Sequence, residues 1–204
     1  MPTKNRVKVY VADAYYHVYN RGVNKQPIFI DNTDYSVFLN LFKRYLADSP
    51  PSDSYGRSYE NISDKVEVLA YCLMPNHFHL LVYQKDEMGM ANLLRRLSTT
   101  YSVYFNRKYH RVGQLFQDAY KASRITSDGY LQHISRYIHL NPDKWRQWDF
   151  SSLGYYLGNK DAPWINQKRI LGLFKNRSDY MDFLADYQDY KRSLDKIKSE
   201  LADK

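Results

Sequence analysis

Residues 66–83, VEVLAYCLMPNHFHLLVY, contain two apolar runs on either side of the turn sequence Met74-Pro75-Asn76. Valine, leucine and aromatic residues favour β-strands, and proline followed by asparagine favours a turn between them. Successive side chains in a strand point to opposite faces of the sheet. The second run therefore places His77 and His79 on one face, and its apolar residues lie on the other: Phe78, Leu80 and Val82. The stretch predicts a β-hairpin with two adjacent histidines on one side.

Helical patterns flank this hairpin. Apolar residues recur at helical spacing after the candidate N-caps Asp31, Asn32 and Thr33, and again over residues 90–109. Ser127 and Asp128 can cap a third helix, which ends at Asn141-Pro142. Residues 8–21 and 115–125 have the composition of strands, residues 48–65 that of a surface loop, and residues 178–204 favour a helix. The order strand, helix, hairpin, helix, strand, helix predicts an α+β sandwich with an antiparallel sheet.

The composition favours a polyanionic partner and excludes several classes of protein. The net charge is +8, and the 204 residues include 21 tyrosines. A basic surface with aromatic side chains suits single-stranded nucleic acid, whose unpaired bases stack on aromatic rings. A single cysteine, Cys72, excludes a disulfide framework and a cysteine-based zinc cluster. Because no apolar run reaches about 18 residues, we expect a soluble, cytoplasmic protein with no membrane partner.

Two groups of residues are candidates for chemistry. His77 and His79 can supply two ligands to a divalent metal ion, although exposed strand histidines are also common. Tyr137 and Asn141 are four residues apart, so a helix presents the phenol and the carboxamide on one face. An interfacial tyrosine is the alternative interpretation of Tyr137. Tyr120, in LFQDAYKA, is the alternative nucleophile.

The remaining histidines are weaker candidates. His17 and His110 are possible ligands by residue type alone, but we expect His17 on a strand surface and His110 at most against a phosphate. His139 lies between Tyr137 and Asn141 in sequence and points elsewhere on the helix, so we expect it to pack or to contact DNA.

Three motifs and a basic amphipathic helix follow each other in a specific order. PNHFHLLV (75–82) precedes the helix, GQLFQDAYKASRI (113–125) follows it, and SRYIHLNP (135–142) comes last. This order resembles the single-tyrosine HUH transposases, and within them most closely the REP-associated tyrosine transposases. The resemblance extends from about Tyr16 to about Gly158.

The resemblance implies a fold, an activity and roles for four residues. The fold would be a ferredoxin-like sandwich with helices on one or both faces of an antiparallel sheet, in a domain at residues 1–158. Residues 159–204 lie outside the resemblance, and we expect them to form a C-terminal helical extension of unknown role. The activity would be cleavage of single-stranded DNA near hairpins through a 5′-phosphotyrosine, followed by strand transfer. His77, His79 and Asn141 would bind Mg²⁺ or Mn²⁺, and Tyr137 would be the nucleophile; classical insertion-sequence members usually carry glutamine instead of this asparagine.

Basic residues provide candidate contacts to the DNA. The stretch 91–125 contains a single acidic residue, Asp118, and Arg21 adds a cation after the first strand. Phosphate contacts would position the strand, although a solvated helix face has the same composition. The candidates are Arg21, Arg95, Arg96, Arg107, Lys108, Arg111, Lys121 and Arg124.

Two other functions remain open at this point, as does the oligomeric state. A domesticated hairpin-binding protein would keep the basic helix without needing the histidines or Tyr137. A metal phosphohydrolase would use the His pair to activate water and would form no protein–DNA adduct. The resemblance allows a monomer or a homodimer, with Tyr137 acting in its own chain or in the partner's.

Overall fold

Four strands pair into one antiparallel sheet. The structure, a computed structural model, describes residues 10–49, 52, 56 and 58–186. The strands are β1 (Ala14–Arg21), β2 (Val66–Met74), β3 (His77–Gln84) and β4 (Lys121–Ile125). Their order in the sheet is β2-β3-β1-β4, so the histidine strand β3 lies in the centre beside β1.

Two helices connect the strands in the predicted order. Helix α1 (Asn32–Leu46) joins β1 to β2, and helix α2 (Gly89–Lys108) joins β3 to β4. Asp31 caps α1 in a capping box with Asp34, as the sequence indicates. The resulting β-α-β-β-α-β unit has the ferredoxin-like arrangement, which confirms the predicted α+β fold.

Helices cover both faces of the sheet. Phe78, Leu80 and Val82 of β3 belong to the core formed with α1 and α2. Leu81 belongs to a second core, which contains residues of helix α3 (Asp128–His139). Because side chains alternate along β3, the histidines lie on the face that α3 covers.

The fourth strand is shorter than predicted, because residues 115–117 bond to the last residue of β1 and to the loop after it, outside the sheet ladder. The Val23 amide donates to Leu115 O (3.0 Å), and the Gln117 amide donates to Arg21 O (2.9 Å). The regular strand begins only at Lys121.

The ends of α3 determine where Asn141 lies. Ser127 caps the helix by accepting a hydrogen bond from the Tyr130 amide (3.4 Å). Pro142 disfavours the α conformation in the preceding residue, and the helix ends at His139. Asn141 is therefore presented by the turn after α3, and not by the helical face that the four-residue spacing predicts.

The chain after α3 packs onto the second core. It contains the short helices α4 (Leu153–Tyr156) and α5 (Lys168–Leu171) and the longer α6 (Arg177–Ala185). Tyr156, Ile170, Tyr180 and Leu184 are buried with α3. The boundary at residue 158 stays a prediction, and residues 187–204 of the predicted C-terminal helix lie outside the described residues. No helix within the described residues is long and apolar enough to cross a membrane.

Candidate active site

The turn between β2 and β3 is anchored by the loop after β1. Asn76 O accepts a hydrogen bond from the Gly22 amide (2.9 Å), and Pro75 O accepts one from the Ile28 amide (2.7 Å). A Cβ on residue 22 would lie 2.1 Å from Gln26 O, so this loop closes only with glycine. The loop thereby fixes the residue that precedes the first histidine.

His77 has an amide oxygen near each ring nitrogen. Asn76 directs its NH₂ group to Lys25 O (3.2 Å) and its Oδ1 to His77 Nδ1 (2.7 Å), so Nδ1 carries the proton. Nε2 then has a lone pair in the neutral ring, yet it lies 3.1 Å from Asn141 Oδ1. Burial, together with the nearby charge of Arg21, lowers the pKa of His77, which disfavours the imidazolium. Either a cation binds to both acceptors, or the Asn141 amide turns its NH₂ group toward the ring.

His79 is a buried, neutral imidazole with a second histidine as its partner. Its Nδ1 lies 3.0 Å from Nε2 of His17, and the two rings stack with centroids 5.1 Å apart. Burial first, then the neighbouring His17 and His77, hold the pKa of His79 well below its usual range. The contact at Nδ1 leaves Nε2 of His79 available for a ligand.

From the sequence we expected His17 on a strand surface, and this expectation is wrong. His17 is only 2% exposed and lies in the site. The register of the sheet places it opposite Leu81 of β3 and Ser123 of β4, on the face that α3 covers. Because side chains alternate along β1, the His17 imidazole lies on the same face of the strand as Tyr15 and Tyr19. Only the pairing of β1 with β3 reveals that this face is the site.

Tyr137 lies directly against the two buried imidazoles. Its ring centroid is 5.1 Å from that of His79 and 5.7 Å from that of His17, both in edge-on contacts. Tyr19 stacks on His79 at 4.9 Å. Tyr137 is 8% exposed. The fold thus gathers the four predicted residues from β3, α3 and the turn after α3 at one place.

Tyr120, the alternative nucleophile, packs elsewhere. It stacks on Tyr10 with centroids 6.4 Å apart and contacts the core formed with α1 and α2. Burial is the main cause that raises the pKa of its phenol. The geometry therefore favours Tyr137 over Tyr120 as the tyrosine of the site.

Two of the predicted DNA-binding cations lie on the histidine face. Arg21 is opposite His77 in the register of β1 and β3, and Lys121 is opposite Tyr19 in the register of β1 and β4. Arg21 also donates from Nε to Gln117 Oε1 (2.6 Å). Arg124, by the alternation along β4, belongs to the other face. Of the predicted cations on the sheet, Arg21 and Lys121 thus share the face of the histidines, and their contact to DNA stays a prediction.

The cations of α2 lie on the opposite face of the sheet, and two of them form ion pairs within the protein. Lys108 Nζ forms ion pairs with Asp31 (2.7 Å) and the buried Asp34 (2.8 Å). Arg96 forms an ion pair with Glu60. As DNA contacts, all of the α2 cations and Arg111 after the helix stay predictions. Arg95 and Arg107 are exposed, and Arg111 donates to Asn106 Oδ1 (3.3 Å).

The donor set for a metal ion includes a carboxamide. Among the residues that the structure describes, no group of three or more His, Cys, Asp or Glu side chains is arranged to hold a metal ion. Two imidazoles and the Asn141 oxygen therefore make up the candidate set. Mixed nitrogen and oxygen ligands suit Mg²⁺ or Mn²⁺ better than structural zinc, which usually recruits thiolates.

Comparison of the sequence with protein families gives a match over this region. Residues 53–141 match the family model described as "Transposase IS200 like". This match, over 89 of the 204 residues, indicates an IS200-like transposase. The family expected from the motifs is thereby confirmed, and the matched residues of the transposase include the hairpin, α2, Tyr137 and Asn141. No curated protein matches the sequence significantly.

Two solved structures are similar to this chain. One is a REP-associated tyrosine transposase bound to a REP hairpin, with 15% identity and a TM-score of 0.56, covering 80% of this chain and 92% of that one. A candidate transposase from Deinococcus radiodurans R1 has 14% identity and a TM-score of 0.40, covering 64% and 92%. At such identities the first likeness concerns the fold alone.

Proposed function

We propose that this transposase cleaves and rejoins single-stranded DNA near hairpins, with Tyr137 as nucleophile and a divalent ion bound by His77, His79 and Asn141. The observation that carries the proposal is the acceptor pair formed by His77 Nε2 and Asn141 Oδ1, 3.1 Å apart, in the site where Tyr137 contacts His79. With Oδ1 of Asn141 toward the ring, two acceptors face each other without a hydrogen between them, which is typical of a cation site.

The covalent step is an exchange of phosphodiester bonds. The phenol of Tyr137 loses its proton, its oxygen forms a bond to the scissile phosphorus, and the bond from phosphorus to the 3′ oxygen breaks. The departing oxygen takes up a proton, which leaves a free 3′-OH and a 5′-phosphotyrosine. Attack by a second 3′-OH reverses these changes and joins two strands without ATP.

The environment of the site must assist this step, because a phenol with an ordinary pKa near 10 is a poor nucleophile at neutral pH. His77, His79 and Asn141 would hold a divalent ion, which would supply Lewis-acid polarisation of the phosphate and stabilisation of the departing oxygen. His77 and His79 are held neutral by burial and therefore keep lone pairs for ligation. The nitrogens that would face away from the ion already have partners: Nδ1 of His77 contacts Asn76, and Nδ1 of His79 contacts His17.

His17 is expected to act as a positioning residue for His79. Replacing His17 with alanine removes the partner of Nδ1, so we expect Mn²⁺ affinity to fall about 10-fold to 100-fold. His17→Asn, which can still accept a hydrogen bond, should recover part of that affinity. Calorimetric titration of DNA-free protein with Mn²⁺ measures both variants. Equal affinities for wild type and His17→Ala would contradict this role.

The hairpin substrate is proposed from the related REP-associated transposase, which was solved with a REP hairpin. Arg21→Ala and Lys121→Ala should each weaken binding of a labelled hairpin and reduce the slope of log K against log salt by about 1, because each removes one phosphate contact. Arg107→Ala is the matched control, since Arg107 is exposed on the opposite face. Fluorescence anisotropy at several salt concentrations measures all three. A larger loss for Arg107→Ala would contradict the proposed DNA path.

Covalent trapping tests the function itself. Wild-type protein, end-labelled hairpin DNA and Mn²⁺ or Mg²⁺ should give a complex that survives denaturation, and EDTA should prevent it. Binding without any such complex would favour the domesticated hairpin-binding protein. Cleavage with release of all products and no complex would favour a metal phosphohydrolase.

A further inference from the structure

Helix α3 has a polar face that is buried under the C-terminal part of the chain. Gln132, Ser135, Arg136 and His139 are spaced i, i+3, i+4 and i+7, so they form one stripe along the helix. Such a stripe normally faces water. Here Ser135, Arg136 and His139 have 0% exposure.

Residues 173–186, which we name the C-terminal clamp, supply hydrogen-bond partners along this whole stripe. Gln132 Nε2 donates to Leu173 O (3.0 Å), at the N-terminal end of α3. The Tyr180 hydroxyl donates to Ser135 Oγ (3.3 Å) and lies 2.6 Å from His139 Nδ1. The clamp is therefore joined to α3, the helix that carries Tyr137, from Gln132 to His139.

Arg136 of α3 binds one particular part of the clamp, the C-terminal end of α6. Its Nη1 donates to Phe183 O (3.0 Å) and Asp186 O (3.4 Å), at the C-terminal end of α6 where the helix dipole is negative. Its Nη2 donates to His133 Nδ1 (2.8 Å), and its Cζ lies 4.0 Å from the centre of the Phe183 ring. A buried guanidinium is costly without such partners, so these bonds stabilise the position of the end of α6 beside Arg136.

His139 connects the same face to the sheet. Its Nε2 lies 2.7 Å from Ser152 Oγ, and that oxygen accepts a hydrogen bond from the Tyr71 amide of β2 (2.8 Å). Both ring nitrogens of His139 thus contact hydroxyl groups, Nδ1 that of Tyr180 and Nε2 that of Ser152. The expectation that His139 packs is confirmed.

We propose that the C-terminal clamp fixes the rotation and depth of α3, and thereby holds Tyr137 in the site of its own chain. Arg136 precedes Tyr137, and adjacent helical residues are about 100° apart, so a rotation of α3 that breaks the clamp also moves the phenol relative to His79. This gives residues 173–186, which lie outside the region matched by the family, a positioning role for the nucleophile. The role in catalysis rests on the proposed function.

The first test separates positioning from stability. Tyr180→Phe removes the hydroxyl that bonds α3 and keeps the ring, and Arg136→Met removes the guanidinium. Tyr156→Phe is the matched control: Tyr156 is fully buried in the same core, but its hydroxyl donates to Leu69 O of β2 (2.8 Å).

In single-turnover trapping with Mn²⁺, Tyr180→Phe should form the covalent complex about tenfold more slowly than wild type, with a hairpin Kd within about twofold. Tyr156→Phe should keep the wild-type rate despite a comparable loss of Tm. Equal rates for Tyr180→Phe and Tyr156→Phe would overturn the positioning role.

Hydrogen exchange tests the clamp without any catalysis, and so distinguishes its failure from that of the proposed function. Tyr180→Phe and Arg136→Met should speed exchange of the α3 amides, residues 128–139, about tenfold, whereas β3 amides should change little. Tyr156→Phe should leave the α3 amides near their wild-type rates. If wild type forms no covalent complex, the proposed function fails and the exchange result alone decides on the clamp. Unchanged exchange rates of the α3 amides in Tyr180→Phe and Arg136→Met would overturn the proposal that the clamp fixes α3.

Mixing two inactive variants tests whether Tyr137 acts in its own chain. Tyr137→Phe lacks the nucleophile and His79→Ala lacks a proposed ligand. Because the clamp holds α3 in its own chain, the mixture should form no covalent complex. Recovery of the complex in the mixture would show that α3 serves a partner's site, and would overturn the proposal.

Discussion

Tyr137→Phe is expected to abolish the covalent protein–DNA complex and to reduce strand cleavage by at least about 10³-fold, because it removes the nucleophile and leaves every other group of the site in place. Binding of the hairpin should stay within about twofold, since a ring of the same shape still packs against His79 and His17. Denaturing gels with end-labelled DNA measure the complex, and anisotropy measures the affinity.

Tyr120→Phe is the matched control for this substitution. Tyr120 is also partly buried, but it stacks on Tyr10 and contacts the core on the other face of the sheet. The variant should form the covalent complex at the wild-type rate. Loss of the complex in Tyr120→Phe with retention in Tyr137→Phe would reverse the assignment of the nucleophile.

His77→Ala and His79→Ala are each expected to lower Mn²⁺ affinity by at least about 100-fold, more than the loss expected when only an outer partner of a ligand is removed. Each removes one of three proposed ligands, and the remaining imidazole and the Asn141 oxygen cannot complete the set. Both variants should also lose the covalent complex. Titration with Mn²⁺ in the absence of DNA measures the affinity independently of cleavage.

His110→Ala controls for the general loss of an imidazole. His110 is exposed in the turn after α2, so its removal should leave Mn²⁺ affinity and the covalent complex unchanged. Wild-type Mn²⁺ affinity in both His77→Ala and His79→Ala would contradict the proposed metal site. It would mean that the Asn141 NH₂ group, and not an ion, faces Nε2 of His77.

Local patterns in the sequence predict the parts of the site that depend on one element. The alternation around Phe78 places His77 and His79 on one face, and the helical spacing of Leu131, Ile134 and Ile138 indicates the buried side of α3. The motif order then identifies the family. Each of these inferences needs only side-chain period, turn chemistry and motif spacing.

Features that depend on pairing between distant segments could not be predicted in this way. His17 enters the site because β1 pairs with β3, and the alternation along β1 alone does not show which face is covered. Lys108 looks like a free cation in sequence, yet the packing of α2 beside α1 brings it to Asp31 and Asp34. The polar stripe of α3 resembles a solvated face until residues 173–186 cover it.

The site of covalent attachment tests the central claim most directly. Protein trapped on hairpin DNA with Mn²⁺ would be digested with nuclease and protease, and the nucleotide-bearing peptide identified by mass spectrometry. We predict a single modified peptide containing SRYIHLNP, with the nucleotide joined through its 5′ phosphate to Tyr137. Attachment at Tyr120 or at another residue, or cleaved DNA with no modified peptide, would contradict the account.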